Sequence, residues 1–129
     1  MSTQTTPARD PHVLLVEDDD DVRRSMTMLL RSWGYSVEVY SSGIELLSTR
    51  HIPASDAVII DYKMPHMDGL ALLKRLRQQG LTTPAILITG FYSNSLAERA
   101  KSLGFCDVLE KPTMNRLLQN KLQTTLNAA

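Results

Sequence analysis

The chain has 129 residues, 43% hydrophobic and 22% charged, and its 14 basic and 14 acidic side chains cancel to a net charge of zero. That is the length and composition of one globular domain, and it argues against a disordered chain or one that binds nucleic acid directly through bulk positive charge. No apolar run approaches the roughly 20 residues that cross a bilayer, and the amino terminus lacks an export pattern, so no membrane role is expected.

Along the chain, Met1 to Asp10 is polar, contains Pro7 and is expected to form a flexible tail, leaving one domain over residues 11–129. Val13 to Val16 reads as a strand. From about Asp20 to Trp33, Val22, Met26, Leu29, Leu30 and Trp33 recur at helical spacing, with Asp20 as cap and Gly34 as stop. Tyr35 to Tyr40 alternates like an edge strand, and Ser41 or Ser42 caps a helix bearing Ile44, Leu46 and Leu47. Asp56 to Ile60 is a strand, and Asp68-Gly69 opens a helix running to Gly80. Pro84 starts the next strand, Asn94 to Leu103 is a helix closed by Gly104, and Cys106 to Leu109 is the last strand. The last helix runs from Pro112 to about Leu126 with Met114, Leu118, Leu122 and Leu126 in a row. Five strands alternating with five helices predict an α/β fold with a five-stranded parallel sheet flanked on both faces. The single cysteine, Cys106, cannot form an internal disulfide; it fits a reducing cytoplasm and is expected to be a small buried apolar side chain.

Each of four apolar runs stops at residues that could do chemistry. Val13–Val16 ends at Glu17-Asp18, Ala57–Ile60 at Asp61, Ala85–Ile88 at Thr89, and Val108-Leu109 leads into Glu110-Lys111-Pro112. Ligands of parallel sheets gather at the carboxyl ends of the strands, so adjacent strands would bring three acids, a hydroxyl and an ammonium to one spot. Such a spot suits a divalent metal and a phosphoryl group. Taken singly, each feature has a plainer reading. Asp19 to Asp21 fit a solvated helix start, Asp68 a turn and helix cap, and His12, His51 and His66 surface or loop positions without metal-ligand spacing.

The constellation resembles the receiver domain of two-component response regulators, from about Pro11 to Leu126. It rests on the acidic pair after the first strand, the Asp61-x-x-Met64-Pro65-x-Met67-x-Gly69 stretch, Thr89, Lys111-Pro112 and the spacing among them. The resemblance implies a flavodoxin-like strand order of 2-1-3-4-5. It implies that Asp61 is the phosphoacceptor, with Thr89 and Lys111 assisting, and that Mg²⁺ is held by Glu17, Asp18, Asp61 and the backbone carbonyl of Lys63. It adds a cis bond before Pro112 that would aim Lys111 inward. Chemistry agrees with these roles. A carboxylate attacks phosphorus to give a labile acyl phosphate, and Mg²⁺ prefers oxygen ligands. Lysine offers a compact ammonium to phosphoryl oxygens.

The implied partners are a sensor histidine kinase or histidine phosphotransfer protein and a downstream protein met by the fourth helix, fifth strand and fifth helix, with a homodimer open. The chain ends with the last helix, so no output domain is expected to follow in this sequence. The setting is expected to be a bacterial cytoplasm.

Four features bear on mechanism. Val108 stands where many receivers carry an aromatic that couples to the threonine. Gly90 leaves a freer loop where alanine is common, and Phe91-Tyr92 places two aromatics beside the site, either covering it or packing on the neighbouring helix. Lys63 adds a second cation. A dedicated phosphatase of the haloacid-dehalogenase type would need an aspartate at Lys63, and an FMN carrier would not tolerate Glu17-Asp18-Asp19 beside its phosphate. The alternative is a receiver-like interaction module that ignores phosphorylation.

Overall fold

Leu14 and Val16 pack on one side of the sheet and Val13 and Leu15 on the other, so successive residues of one strand feed two separate cores. This two-residue period, with every one of these side chains fully buried, is what a strand covered on both faces requires. The computed structural model describes residues 10–112 and 116–127. In chain order it contains β1 (His12–Val16), α1 (Asp20–Ser32), β2 (Ser36–Tyr40), α2 (Gly43–Leu47), β3 (Ala57–Asp61), α3 (Gly69–Gln78), β4 (Ala85–Thr89), α4 (Asn94–Leu103), β5 (Phe105–Glu110) and α5 (Arg116–Asn127). The strands form one parallel sheet in the order β2-β1-β3-β4-β5, the expected topology. Residues 1–9 of the expected tail, and Met114 of the last helical row, lie outside the described residues.

Met26 and Leu30 of α1 and Leu118 and Leu122 of α5 cover one face, against Val13, Leu15, Ile59 and Ile88. The other face carries Leu46 of α2, Leu70, Leu73 and Leu76 of α3, and Leu96, Ala97 and Ala100 of α4, against Leu14, Val58, Ile60 and Leu87. Truncating a fully buried member such as Leu30 to alanine removes about 2–5 kcal/mol of stability.

Short polar side chains start the first four helices. The Asp19 carboxylate accepts the Val22 N–H at 2.9 Å, Ser42 accepts Glu45 N–H at 3.0 Å, Asp68 accepts Ala71 N–H at 2.9 Å, and Ser93 accepts Leu96 N–H at 3.0 Å. Asp19, not the expected Asp20, therefore caps α1. Its extended backbone aims the carboxylate at the open first turn, whereas Asp20 is already helical and turns its side chain to Arg23. At the far end of α4, Gly104 closes the helix with a left-handed φ of 109°.

Cys106 corrects a second expectation, because it is exposed. The register of β4 with β5 slips there: Ala85 faces Phe105 but Ile86 faces Asp107, which leaves Cys106 as the extra residue of a bulge. Its thiol lies 3.2 Å from the Ala85 carbonyl oxygen, to which it donates. His12 is half-buried at the start of β1 rather than in a loop, with its ring nitrogens 2.7 Å from Ser36 Oγ and 2.9 Å from Glu38 Oε1.

Candidate functional site

Strand order alone brings the site together. β1 and β3 are direct neighbours, so Glu17, just past β1, and Asp61, the last residue of β3, emerge side by side. Carboxylate oxygens of Glu17, Asp18 and Asp61 all lie within 4.8 Å of one another. Glu17 is fully buried and Asp61 is 3% exposed, while Asp18 is half-buried. From the other side, Lys111 follows β5, its backbone N–H donating to the Thr89 carbonyl at 2.7 Å. Its ammonium lies 3.1 Å from Glu17 Oε1 and 3.1 Å from Asp61 Oδ1. The Lys111–Pro112 peptide is cis.

One ammonium meets two members of a cluster of three carboxylates, and the charge is poorly balanced. Burial, the neighbouring Glu17 charge and contacts with Glu17 and Asp18 push the Asp61 carboxyl up to about 8, with Lys111 pulling the other way. Burial alone would lower the Lys111 pKa, but Glu17 and Asp61 outweigh it and the ammonium is held above its ordinary value. Glu17 Oε1 is buried and makes no well-aligned hydrogen bond; Lys111 meets it only as an ion-pair contact. An all-oxygen donor set with excess negative charge and a buried, poorly satisfied oxygen fits a hard divalent cation such as Mg²⁺.

Around this centre, Thr89 is 1% exposed, and its hydroxyl accepts the Phe91 N–H at 3.0 Å. Phe91 is 72% and Tyr92 45% exposed, so neither packs into the helix-covered cores. The Lys63 ammonium stands 5.3 Å from the centroid of the Phe91 ring. Val108 is buried in the core beneath α3 and α4. A side chain at Gly90 would meet nothing within 4 Å, in keeping with a roomy loop. Asp68 caps α3, while Asp20 and Asp21 pair with Arg23 and Arg24.

Two contacts in the site's surroundings were not foreseen. Gly69 brings α3 against the Asp61 carbonyl, where a Cβ would stand only 2.7 Å from that oxygen. Arg23 donates from Nη1 to the Glu17 carbonyl oxygen at 2.9 Å. The Arg23–Asp20 spacing is readable as a helical pair, but the reach back to the preceding strand end is a tertiary contact without a sequence signal.

A parallel five-stranded sheet with an acidic pocket at the carboxyl ends of β1 and β3 defines a receiver-like α/β domain. Residues 13–123 match the family model described as response regulator receiver domain, and the chain belongs to that family. It is therefore a receiver domain of the two-component response regulators, a family of signalling domains. Among curated relatives it is 31% identical to the transcriptional regulatory protein FixJ of Bradyrhizobium diazoefficiens, over 92% of this chain and 58% of that protein. It is 35% identical to the C4-dicarboxylate transport transcriptional regulatory protein DctD of Rhizobium meliloti, over 85% of this chain and 24% of the relative. It is also 35% identical to the sensor histidine kinase RcsC of Salmonella typhimurium, over 92% of this chain and 13% of that protein. The chain thus spans only part of the length of each. Among solved structures, the chemotaxis protein CheY4 of Vibrio cholerae superposes with a TM-score of 0.85 at 30% identity, covering 92% of this chain and all (100%) of that one. The Francisella response regulator 1452 receiver domain gives 0.84 at 28%, covering 92% and 98%. No helix among the described residues is long and apolar enough to cross a membrane.

Proposed function

We propose that the chain is a Mg²⁺-dependent phosphoacceptor switch in which Asp61 takes a phosphoryl group from the phosphohistidine of a sensor kinase or histidine phosphotransfer protein. The observation that carries this reading is the burial of Asp61 among two further carboxylates with the Lys111 ammonium 3.1 Å from its Oδ1. Ionised Asp61 attacks phosphorus, the bond from phosphorus to the donor imidazole nitrogen breaks, and the electron pair stays on that nitrogen, which solvent then protonates. The product is an acyl phosphate on Asp61, labile enough for a timed signal. Lys111, paired with Asp61 beforehand, is placed to move onto the new phosphoryl oxygens, and the Thr89 hydroxyl has a proton to donate to them. Asp18 and Asp61 directly, Glu17 through water and the Lys63 carbonyl would hold the metal. When bound, Mg²⁺ neutralises charge gathering on the phosphoryl oxygens.

Output by protein contact is supported by the exposed apolar side chains on the α4 and α5 side: Phe91 and Tyr92 before α4, Leu103 at its end and Leu117 on α5. The relatives named as transcriptional regulators and a histidine kinase fit a bacterial cytoplasmic signalling role. A phosphate-affinity gel after exposure to acetyl phosphate tests the proposal. A retarded band is expected for the wild type with Mg²⁺, and none without Mg²⁺ or in Asp61→Asn. A band that persists in Asp61→Asn would overturn the assignment. If neither acetyl phosphate nor beryllofluoride moved the Thr89 and Lys111 resonances, a phosphorylation-independent interaction module would be the better account.

A further inference from the structure

The phosphoacceptor reading gives no task to Arg23, a cation at the edge of the pocket. Arg23, one turn into α1, has a side chain only 21% exposed, and its two terminal nitrogens make different contacts. Nη1 donates to the backbone carbonyl oxygen of Glu17 at 2.9 Å, and Nη2 pairs with Asp20 Oδ1. The Glu17 N–H is itself held by the Tyr40 carbonyl at 3.0 Å. Glu17 is thus gripped on both backbone sides, by β2 through its N–H and by α1 through its C=O. That carbonyl belongs to the peptide joining Glu17 to Asp18, so its direction sets how the Asp18 side chain leaves the strand end. The Glu17 carboxylate is steadied in turn by the Asp19 N–H, which donates to Oε2 at 3.1 Å.

The ion pair with Asp20 cannot explain why Arg23 is mostly covered. Asp20 is 77% exposed, and a pair so open to water contributes little stability. The contact with consequence is the one to Glu17, because a planar guanidinium holds a carbonyl on one nitrogen and a carboxylate on another in a fixed fork, a geometry that the single nitrogen of a lysine ammonium does not fix.

We propose that Arg23 is a positioning residue for divalent-cation binding: by fixing the Glu17–Asp18 peptide it pre-orients these two acids, with Asp20 holding the guanidinium in place. The inference rests on the metal assignment above only in taking Glu17 and Asp18 as ligands.

Calorimetric titration with Mg²⁺ tests it on wild type, Arg23→Ala and Arg23→Lys, each checked for folding by circular dichroism. Residues that orient metal ligands from outside typically cost 10–100-fold in affinity when removed, and a loss of about tenfold is expected for Arg23→Ala. Arg23→Lys should recover only part of it. Acetyl phosphate uptake by Arg23→Ala should return to the wild-type rate at saturating Mg²⁺. In the metal-free protein, the Asp19 amide should exchange its hydrogen faster in Arg23→Ala than in wild type, while amides of α3 report unchanged global opening. Mg²⁺ affinity within twofold of wild type in Arg23→Ala, or full affinity in Arg23→Lys, would overturn the proposal. So would uptake that stays low at saturating Mg²⁺. If the wild type bound no Mg²⁺, the metal assignment would fall and this inference with it. Mg²⁺ binding that depends on Arg23 without uptake at Asp61 would sink only the phosphoacceptor reading.

Discussion

The buried Thr89 hydroxyl accepts a hydrogen bond from the backbone N–H of Phe91 at 3.0 Å, and Phe91, 72% exposed, is the most exposed large apolar side chain among the described residues. A residue inside the site is thereby tied to the surface two positions on, without help from Val108, which lies in the core. On the proposed function, turning the hydroxyl toward a phosphoryl group on Asp61 would move the acceptor away from Phe91 and release the loop before α4. The Lys63 ammonium over the Phe91 ring adds a second tie between the same loop and the segment after Asp61.

Thr89→Ala should accordingly leave phosphate uptake largely intact and uncouple the loop. In ¹⁵N-resolved NMR, beryllofluoride should shift the Phe91 amide strongly in the wild type and weakly in Thr89→Ala. Equal shifts in both would show that the loop is driven by another contact.

Lys111→Ala removes the ammonium that meets both Glu17 and Asp61. Some uptake should remain, since the nucleophile is untouched, but the response at Thr89 and the loop should weaken. An NMR response to beryllofluoride as large as the wild type's would refute a role for Lys111 in switching.

Asp61 also makes metal-free stability depend on pH. Its carboxyl is raised from 3.8 to about 8, mainly by burial and then by Glu17, so the folded state holds a proton that the unfolded state has released between those values. Stability contributed by this group is fully present below 3.8 and is lost as pH rises toward about 8. Thermal melts in EDTA should show a Tm that falls between about pH 5 and 8 in the wild type and falls less in Asp61→Asn. Adding Mg²⁺ should recover stability near neutrality. Parallel pH profiles for the two proteins would contradict the raised Asp61 pKa.

Gly69→Ala tests the close approach of α3 to the site. A Cβ there would lie 2.7 Å from the Asp61 carbonyl oxygen and 2.9 Å from both Ile60 Cγ2 and Leu87 Cδ1. Overpacking of this kind costs about 1–3 kcal/mol, so urea denaturation should show a lower midpoint. Uptake should slow as well, because the strain falls on the nucleophile's own backbone. A variant with wild-type midpoint and rate would mean that the neighbouring helix yields freely.

Much of this was legible in the sequence, because buried strands write themselves as apolar runs and end where the chemistry begins. The strand-end positions of Glu17, Asp61 and Thr89 are readable from the sequence, since each directly follows or ends such a run. The misses share one cause. Asp19 against Asp20 as cap depends on a single backbone angle at the helix start, and the outward turn of Cys106 depends on a bulge against β4. The grip of Arg23 on the Glu17 carbonyl and the stacking of Lys63 on Phe91 join side chains across turns of the chain that no periodicity records. Local pattern carried the strands and most helix ends; contacts decided by tertiary geometry did not show in it.

The most direct test of the central claim is to find where the phosphoryl group sits. Borohydride reduces an aspartyl phosphate to homoserine, and peptide mass spectrometry locates the converted residue. After treatment with acetyl phosphate and Mg²⁺, homoserine at position 61 alone is the predicted result. Conversion at Asp18 or another acid, with position 61 unchanged, would contradict the account.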